Sequence, residues 1–183
     1  MTDKSDLILV NECLDGNTRA FAELIDRYQR PIFNLALRMV SGYEDACDLT
    51  QTVFVKAYEK LDTFNPRFKF FSWIYRMAVN ECLNFLKARK QHDVLHPNMV
   101  SAAKNPEENY LDNEFSKRVQ LAVGDLPSEY KVLIIMRHFD DFSYQEIGHL
   151  LRLPEKTVKS RLFTARRLLS DAVRQRGIVA DDR

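Results

Sequence analysis

Glycine and proline are scarce in this chain, with five and six among 183 residues, and tryptophan occurs once. So few breakers exclude a collagen-like or low-complexity chain. With 45% hydrophobic and 29% charged residues, the composition suits a helix-rich globular protein. No apolar stretch approaches the ~20 residues needed to span a bilayer. The start, Met1-Thr2-Asp3-Lys4-Ser5-Asp6, lacks a basic run leading into an apolar one, so no secretory leader is expected. Cys13, Cys47 and Cys82 are odd in number and widely spaced. They read as reduced thiols of a cytoplasmic protein, not as a disulfide framework. No CxxC pair occurs and no ligand set clusters, so no metal is expected. His92, His96, His138 and His149 form no recognisable acid–base set, so no catalytic residue, cofactor or small-molecule substrate is expected.

A net charge of +1 conceals strong segregation. Residues 1–65 carry seven bases against eleven acids, and residues 66–92 carry six bases against Glu81 alone. Residues 93–114 return to a net −4, and residues 152–176 hold eight bases against Glu155 and Asp171. Two basic blocks in a nearly neutral chain fit two contacts with a polyanion, although charge alone fits two solvated helix faces as well.

Apolar residues recur at helical spacing along most of the chain, and neither a strand pattern nor an internal repeat is evident. Asp15-Gly16-Asn17 should stop one helix and cap the next. There Phe21, Leu24, Ile25 and Tyr28 share a face, and Pro31 should kink the helix or start a new turn. Ala46, Leu49, Val53 and Ala57 mark a third helix, and Phe71 opens a fourth that should reach Lys90. Periodicity lapses over residues 91–104, which read as a flexible linker. Asn105-Pro106-Glu107-Glu108 is a compact helix start. From there a second helical domain, 105–176, is expected, with helices over about 106–124, 128–138, 144–151 and 155–174. Residues 177–183 read as a tail. Fourteen linker residues reach ~45 Å when extended, so the two domains are expected to be separate bodies with few mutual contacts.

The last two helices read as a helix-turn-helix. Ser143-Tyr144-Gln145-Glu146 is a capping box, and Arg152-Leu153-Pro154 is a tight break. Val158, Leu162, Ala165 and Leu169 form an inward stripe on the final helix. Lys156, Lys159, Ser160, Arg161, Phe163, Thr164 and Arg167 are candidates for a surface that enters a major groove. The competing reading is a helical hairpin with one solvated face. A second reader lies upstream, where Phe64, Phe68, Phe70, Phe71, Trp73 and Tyr75 are interleaved with Arg67 and Lys69. Aromatics beside bases stack on unpaired nucleotides. Arg76, Asn80, Asn84 and Lys87 make one polar stripe, and Asn side chains read base edges. Phe71 and Tyr75 are expected in the core instead.

Three stretches carry a family resemblance: Asp45 to Phe54, Phe71 to Asn80, and Phe142 to Leu169. With Leu126-Pro127 and the Asn-Pro-Glu-Glu start, they fall in order along almost the whole chain. The sequence resembles the sigma-70 family, specifically the small extracytoplasmic-function (group 4) sigma factors. That resemblance implies an all-α protein of two domains and no enzymatic activity of its own. Region 2, residues 1–90, would capture the melted −10 element through Phe64, Arg67, Lys69, Trp73, Arg76, Asn80 and Asn84. Region 4 would read the −35 element through the final helix. Asp45, Asp48, Gln51, Phe54 and Lys56 match the docking surface for the β′ clamp helices of core RNA polymerase, with Gln51 and Phe54 expected to be exposed. Region 4 would hold the β flap. A dedicated anti-sigma partner, of a kind that can be membrane-anchored, and a role in stress response are implied too. Trp73 stands alone where primary sigma factors pair two tryptophans, which implies weaker intrinsic melting. Arg152 stands where relatives often have Gly, and Thr164 where some carry Arg.

Two other functions fit parts of the sequence. A self-sufficient helix-turn-helix regulator would bind duplex DNA alone, usually as a two-fold dimer. A nuclease using Asp45 and Asp48 would need further converging acids, which the sequence does not supply.

Overall fold

The structure, a computed structural model, describes residues 4–95 and 114–177, with side chains described for 4–92 and 119–177. All regular structure among the described residues is helical. The first four helices are α1 (Asp6–Leu14), α2 (Thr18–Val40), α3 (Tyr43–Glu59) and α4 (Phe70–Leu95), with a 3₁₀ turn at Leu61–Thr63. The second group comprises α5 (Glu114–Gly124), α6 (Ser128–His138), α7 (Tyr144–Leu151) and α8 (Glu155–Gln175).

Asn17 occupies the N-cap of α2, but its side chain makes no capping bond and instead donates to Glu12, 3.3 Å away. Pro31 sits inside α2 without ending it. The helix stops where Ser41 turns left-handed at φ 60°. Leu24, Ile32, Leu35 and Met39 of α2 are fully buried against α1, α3 and α4, so α2 is the spine of the first domain. Helix α4 runs past Lys90 to Leu95, so the first part of the expected linker is helical. No strong breaker precedes Pro97, and the residue before a proline is the one pushed out of the α region. The remainder of the linker and the Asn105-Pro106 helix start lie outside the described residues, as does the tail beyond Gly177.

The expectation of two separate bodies is not met. One continuous core runs from Leu9 through α4 into α6, α7 and α8. Phe71 stacks on Phe142 with rings 5.9 Å apart and 7° from parallel. The fully buried Tyr75 donates its hydroxyl proton to Asp140 at 2.5 Å. Lys131, also buried, donates to the carbonyl of Met39 at 3.3 Å, at the C-terminal end of α2, where the helix dipole favours a cation. Arg38 lies over the Phe139 ring at 4.6 Å. Linker length permits separation, but the apolar surface on either side of the linker favours contact. Tyr75 is in the interior as expected, whereas Phe71 is only half-buried and lines a surface cavity, and both pack against the other domain. Burial holds the Asp140 carboxyl above the ordinary carboxylate range and the Lys131 ammonium below its own.

Candidate nucleic-acid interface

Helix α7 begins with the capping box that the sequence shows. The Glu146 amide donates to the Ser143 hydroxyl at 3.2 Å, and the Ser143 amide donates to the Glu146 carboxylate at 2.8 Å. The Ser143 amide and hydroxyl hold the Glu146 carboxyl below its usual range. Arg152 closes α7 in the left-handed region, at φ 54°, as the departure from glycine implied. Gly148 is the residue that lets the turn close. A Cβ there would meet the Leu153 carbonyl oxygen at 2.7 Å. This requirement went unnoticed in the sequence, although a glycine inside a short helix is its trace.

Helix α8 buries Val158, Leu162 and Ala165, while Leu169 is half-buried. At 3.6 residues per turn, Lys156, Ser160, Phe163, Thr164 and Arg167 share the opposite face, with Lys159 a quarter turn away at one edge. Arg161 falls at the edge of that face. All are exposed except Thr164, which is half-buried and bonds the Ser160 carbonyl at 3.3 Å. Phe163 is 71% exposed, an unusual place for a large apolar ring. Lys159 pairs with Glu155 at 2.7 Å. Arg166 is a structural tie instead, reaching His138 at 3.4 Å and the Tyr144 hydroxyl at 3.3 Å.

In the first domain, the loop before α4 turns on Asn65, whose side chain accepts from the Arg67 amide at 3.0 Å. Phe64 packs edge-on against Phe70 and Trp73, each at 5.6 Å. Phe64, Trp73 and Arg76 are half-buried, while Arg67, Lys69, Asn80 and Asn84 are exposed. Asn80 and Asn84 stand one turn apart on the same open stripe as Arg76. Phe68, 47% exposed, rests on His149 of α7 at 5.0 Å. A cavity of about 220 Å³ opens between this loop and the first two helices, lined by Asp6, Tyr28, Phe64, Phe68, Lys69 and Phe71 among others. The contribution of α1 was not foreseen, because nothing local ties Asp6 to residues sixty positions away. A second, open cleft of about 510 Å³ brings Arg76 beside Arg152 of the turn. Burial and the charge of Arg152 hold the Arg76 guanidinium below its usual range.

On α3, Asp48 and Gln51 are exposed, and Asp45 is half-buried near Arg89 at 3.6 Å. Lys56 pairs with Glu81 at 2.7 Å. Phe54 corrects the sequence reading. It is 6% exposed, edge-on to Phe21 at 6.5 Å, because it sits one residue past Val53 on the buried side. The exposed apolar residues are Val55 and Tyr58, at 56% and 47%. With Asp48 and Gln51 they form one stripe at spacings of three, four and three, a pattern visible in the sequence but not extracted from it. Among the described residues no group of His, Cys and acids could hold a metal, and no helix is long and apolar enough to cross a membrane.

Residues 24–92 match the family model for sigma-70 region 2, and residues 116–169 match that for sigma-70 region 4. The chain is 33% identical to the ECF RNA polymerase sigma-E factor of Escherichia coli strain K12, covering 92% of this chain and 94% of that one. It is 29% identical to the ECF RNA polymerase sigma factor SigW of Bacillus subtilis, covering 90% and 95%.

The chain belongs to the extracytoplasmic-function sigma factors of the sigma-70 family.

As a sigma factor it directs transcription initiation and is not an enzyme in its own right. Its fold matches the sigma factor RpoE solved in complex with the anti-sigma factor NepR from Bartonella quintana. The TM-score is 0.71 at 22% identity, over 89% of this chain and 98% of that one.

Proposed function

We propose that this sigma factor divides promoter reading between a single-strand site in region 2 and a duplex site in region 4. The observation that carries the division is the difference in what each surface exposes. Region 4 offers a polar, basic helix face with one protruding ring at Phe163. A rigid helix of that kind fits a major groove, where Lys and Arg reach guanine edges or phosphates and a phenyl ring meets a thymine methyl. Region 2 offers an aromatic-walled cavity with Arg67 and Lys69 at its loop, while Arg76, Asn80 and Asn84 continue along α4 outside its lining. Such a site suits a base already out of the stack, which presents a π-face and a free Watson–Crick edge.

The core polymerase surface is the α3 stripe Asp48, Gln51, Val55 and Tyr58, with Asp45 and Lys56 beside it as flanking, already paired charges. Asp48→Arg is expected to weaken assembly with core polymerase while leaving helicity unchanged, as read by gel filtration and circular dichroism. The β flap would take apolar surface of region 4. Action in the cytoplasm, beside the polymerase, follows from this role.

The closed packing of the two regions must open for this work. Elements centred about 25 base pairs apart lie ~85 Å apart along the duplex, whereas the readers here touch through Phe71 and Phe142. An anti-sigma factor would act by holding the regions in such a closed form. The deciding experiment for the function is transcription in vitro with purified core polymerase. Promoter-specific initiation that requires this chain is expected. Tight duplex binding by the chain alone as a dimer, with no effect on polymerase, would return it to the class of self-sufficient regulators.

A further inference from the structure

We propose that the cleft between α4 and the α7–α8 turn binds a small phosphorylated anion, of the phosphate or diphosphate class, which holds the two regions closed. The cleft has a volume of about 510 Å³, with Arg76 of region 2 on one side and Gln145, His149 and Arg152 of region 4 on the other. That volume lies in the range of cavities that take small ligands.

The two arginines of the cleft differ from others in the fold. Arg27, Arg89 and Arg176 each face a carboxylate. Among the described residues no carboxylate pairs with Arg76 or Arg152. Glu155, the lone acid in the lining, is already paired with Lys159 at 2.7 Å. Closure therefore sets two guanidiniums about one cleft without a counter-charge, and like charges so placed oppose it. Burial and the charge of Arg152 act on Arg76 in the same sense, favouring loss of its charge. An anion between them turns one repulsion into two attractions. Guanidinium forks match phosphate oxygens bidentately, and the Gln145 amide and His149 imidazole add donors on the region 4 side. DNA bound to both regions needs them apart, so the paired arginines exist in the closed form alone and a promoter phosphate is not their occupant. A ligand that binds only the closed form favours it by a factor of one plus its concentration over its dissociation constant. While it is bound, Arg76 is withheld from the promoter.

The test uses the full chain, with inorganic pyrophosphate and inorganic phosphate as probes and ionic strength held constant with sodium chloride. Isothermal titration reads binding, and a distance probe between α4 and α8 reads closure. Neither readout depends on promoter recognition. Wild type should bind pyrophosphate saturably, with the closed population rising along the same curve. Arg152→Asn removes a guanidinium and supplies a residue that tolerates the left-handed turn. It should weaken binding by about tenfold, yet close more readily than wild type in the absence of the anion, because the repulsion is gone. Arg152→Lys keeps the charge without the fork and should fall between the two. Equal affinity in wild type and Arg152→Asn, or closure that follows ionic strength whichever anion supplies it, would overturn the site. So would the absence of binding of either probe to wild type, a result that needs no variant to fold.

Discussion

On α8 the side chains that face outward and those that build the core occupy opposite sides of one helix. In the stretch Phe64 to Arg76 the two roles alternate within a single aromatic run. Phe163 is 71% exposed on α8, whereas Tyr75 is fully buried on α4, and nothing in the residue type separates them. The difference follows from what each surface meets. A duplex groove is wide and hydrated, so a reader can be a polar face laid over an independent core. A lone base needs apolar walls, and those walls are continuous with the core beneath them. In this chain they also extend into the other domain, through Phe71 on Phe142 and Phe68 on His149.

Substituting the two aromatics tests that contrast most severely. Tyr75→Ala is expected to cost about 3–5 kcal/mol of stability, as other buried aromatics do, and to leave Asp140 without its donor. Phe163→Ala should change stability by no more than about 0.5 kcal/mol yet weaken binding to the −35 duplex. Urea unfolding and a mobility-shift assay read the two effects. Comparable stability losses in both variants would erase the distinction.

Gly148→Ala comes next in size. Its methyl group would press on the Leu153 carbonyl at 2.7 Å, within the turn between the two helices. A loss of about 1–3 kcal/mol is expected for such overpacking. Region 4 should suffer first, as hydrogen exchange resolved along the chain would report.

A subtler variant sharpens the comparison at the shared wall. Tyr75→Phe keeps the ring but removes the donor to Asp140, whose carboxyl is already raised by burial. Leaving that acceptor unpaired should cost about 1–3 kcal/mol, loosening the contact between the regions. Asp140 holds its proton more tightly when buried than when exposed. Closure is therefore most favoured at acid pH and weakens as pH rises through the ordinary carboxylate range towards the raised value. A distance probe between α4 and α8, followed over pH, should show more of the open form in the variant than in wild type above that range.

The smallest expected effect is electrostatic. Lys159→Ala removes one phosphate-reaching charge from α8 and its pairing with Glu155. The salt dependence of duplex binding should flatten by about one unit of log–log slope. An unchanged slope would place Lys159 off the DNA.

How far the sequence discloses all this depends on range. The capping box at Ser143 and the inward stripe of α8 are local, and each is legible within a few residues, whereas the left-handed Arg152 is marked only by the glycine that relatives often have there. The aromatic run announces a special surface, but which rings line the cavity depends on α1 and α2, far away in sequence. Phe54 was misjudged because neighbouring Val53 and Val55 fall on opposite sides of α3, and a family pattern does not say on which side Phe54 lies. The closed packing was illegible because Tyr75 and Asp140 stand 65 residues apart and neither has a local reason to seek the other.

The central claim is that one chain reads a single strand with region 2 and a duplex with region 4. Asn80→Ala and Lys159→Ala, each assembled with core polymerase, can be compared on a fully duplex promoter and on one pre-melted across the −10 element. The Asn80 defect should persist on the pre-melted template and concentrate at one −10 position, while the Lys159 defect should follow the −35 duplex regardless of melting. If pre-melting abolishes the Asn80 defect, or if its effect is equal at every base, region 2 does not read an exposed base and the division of labour is wrong.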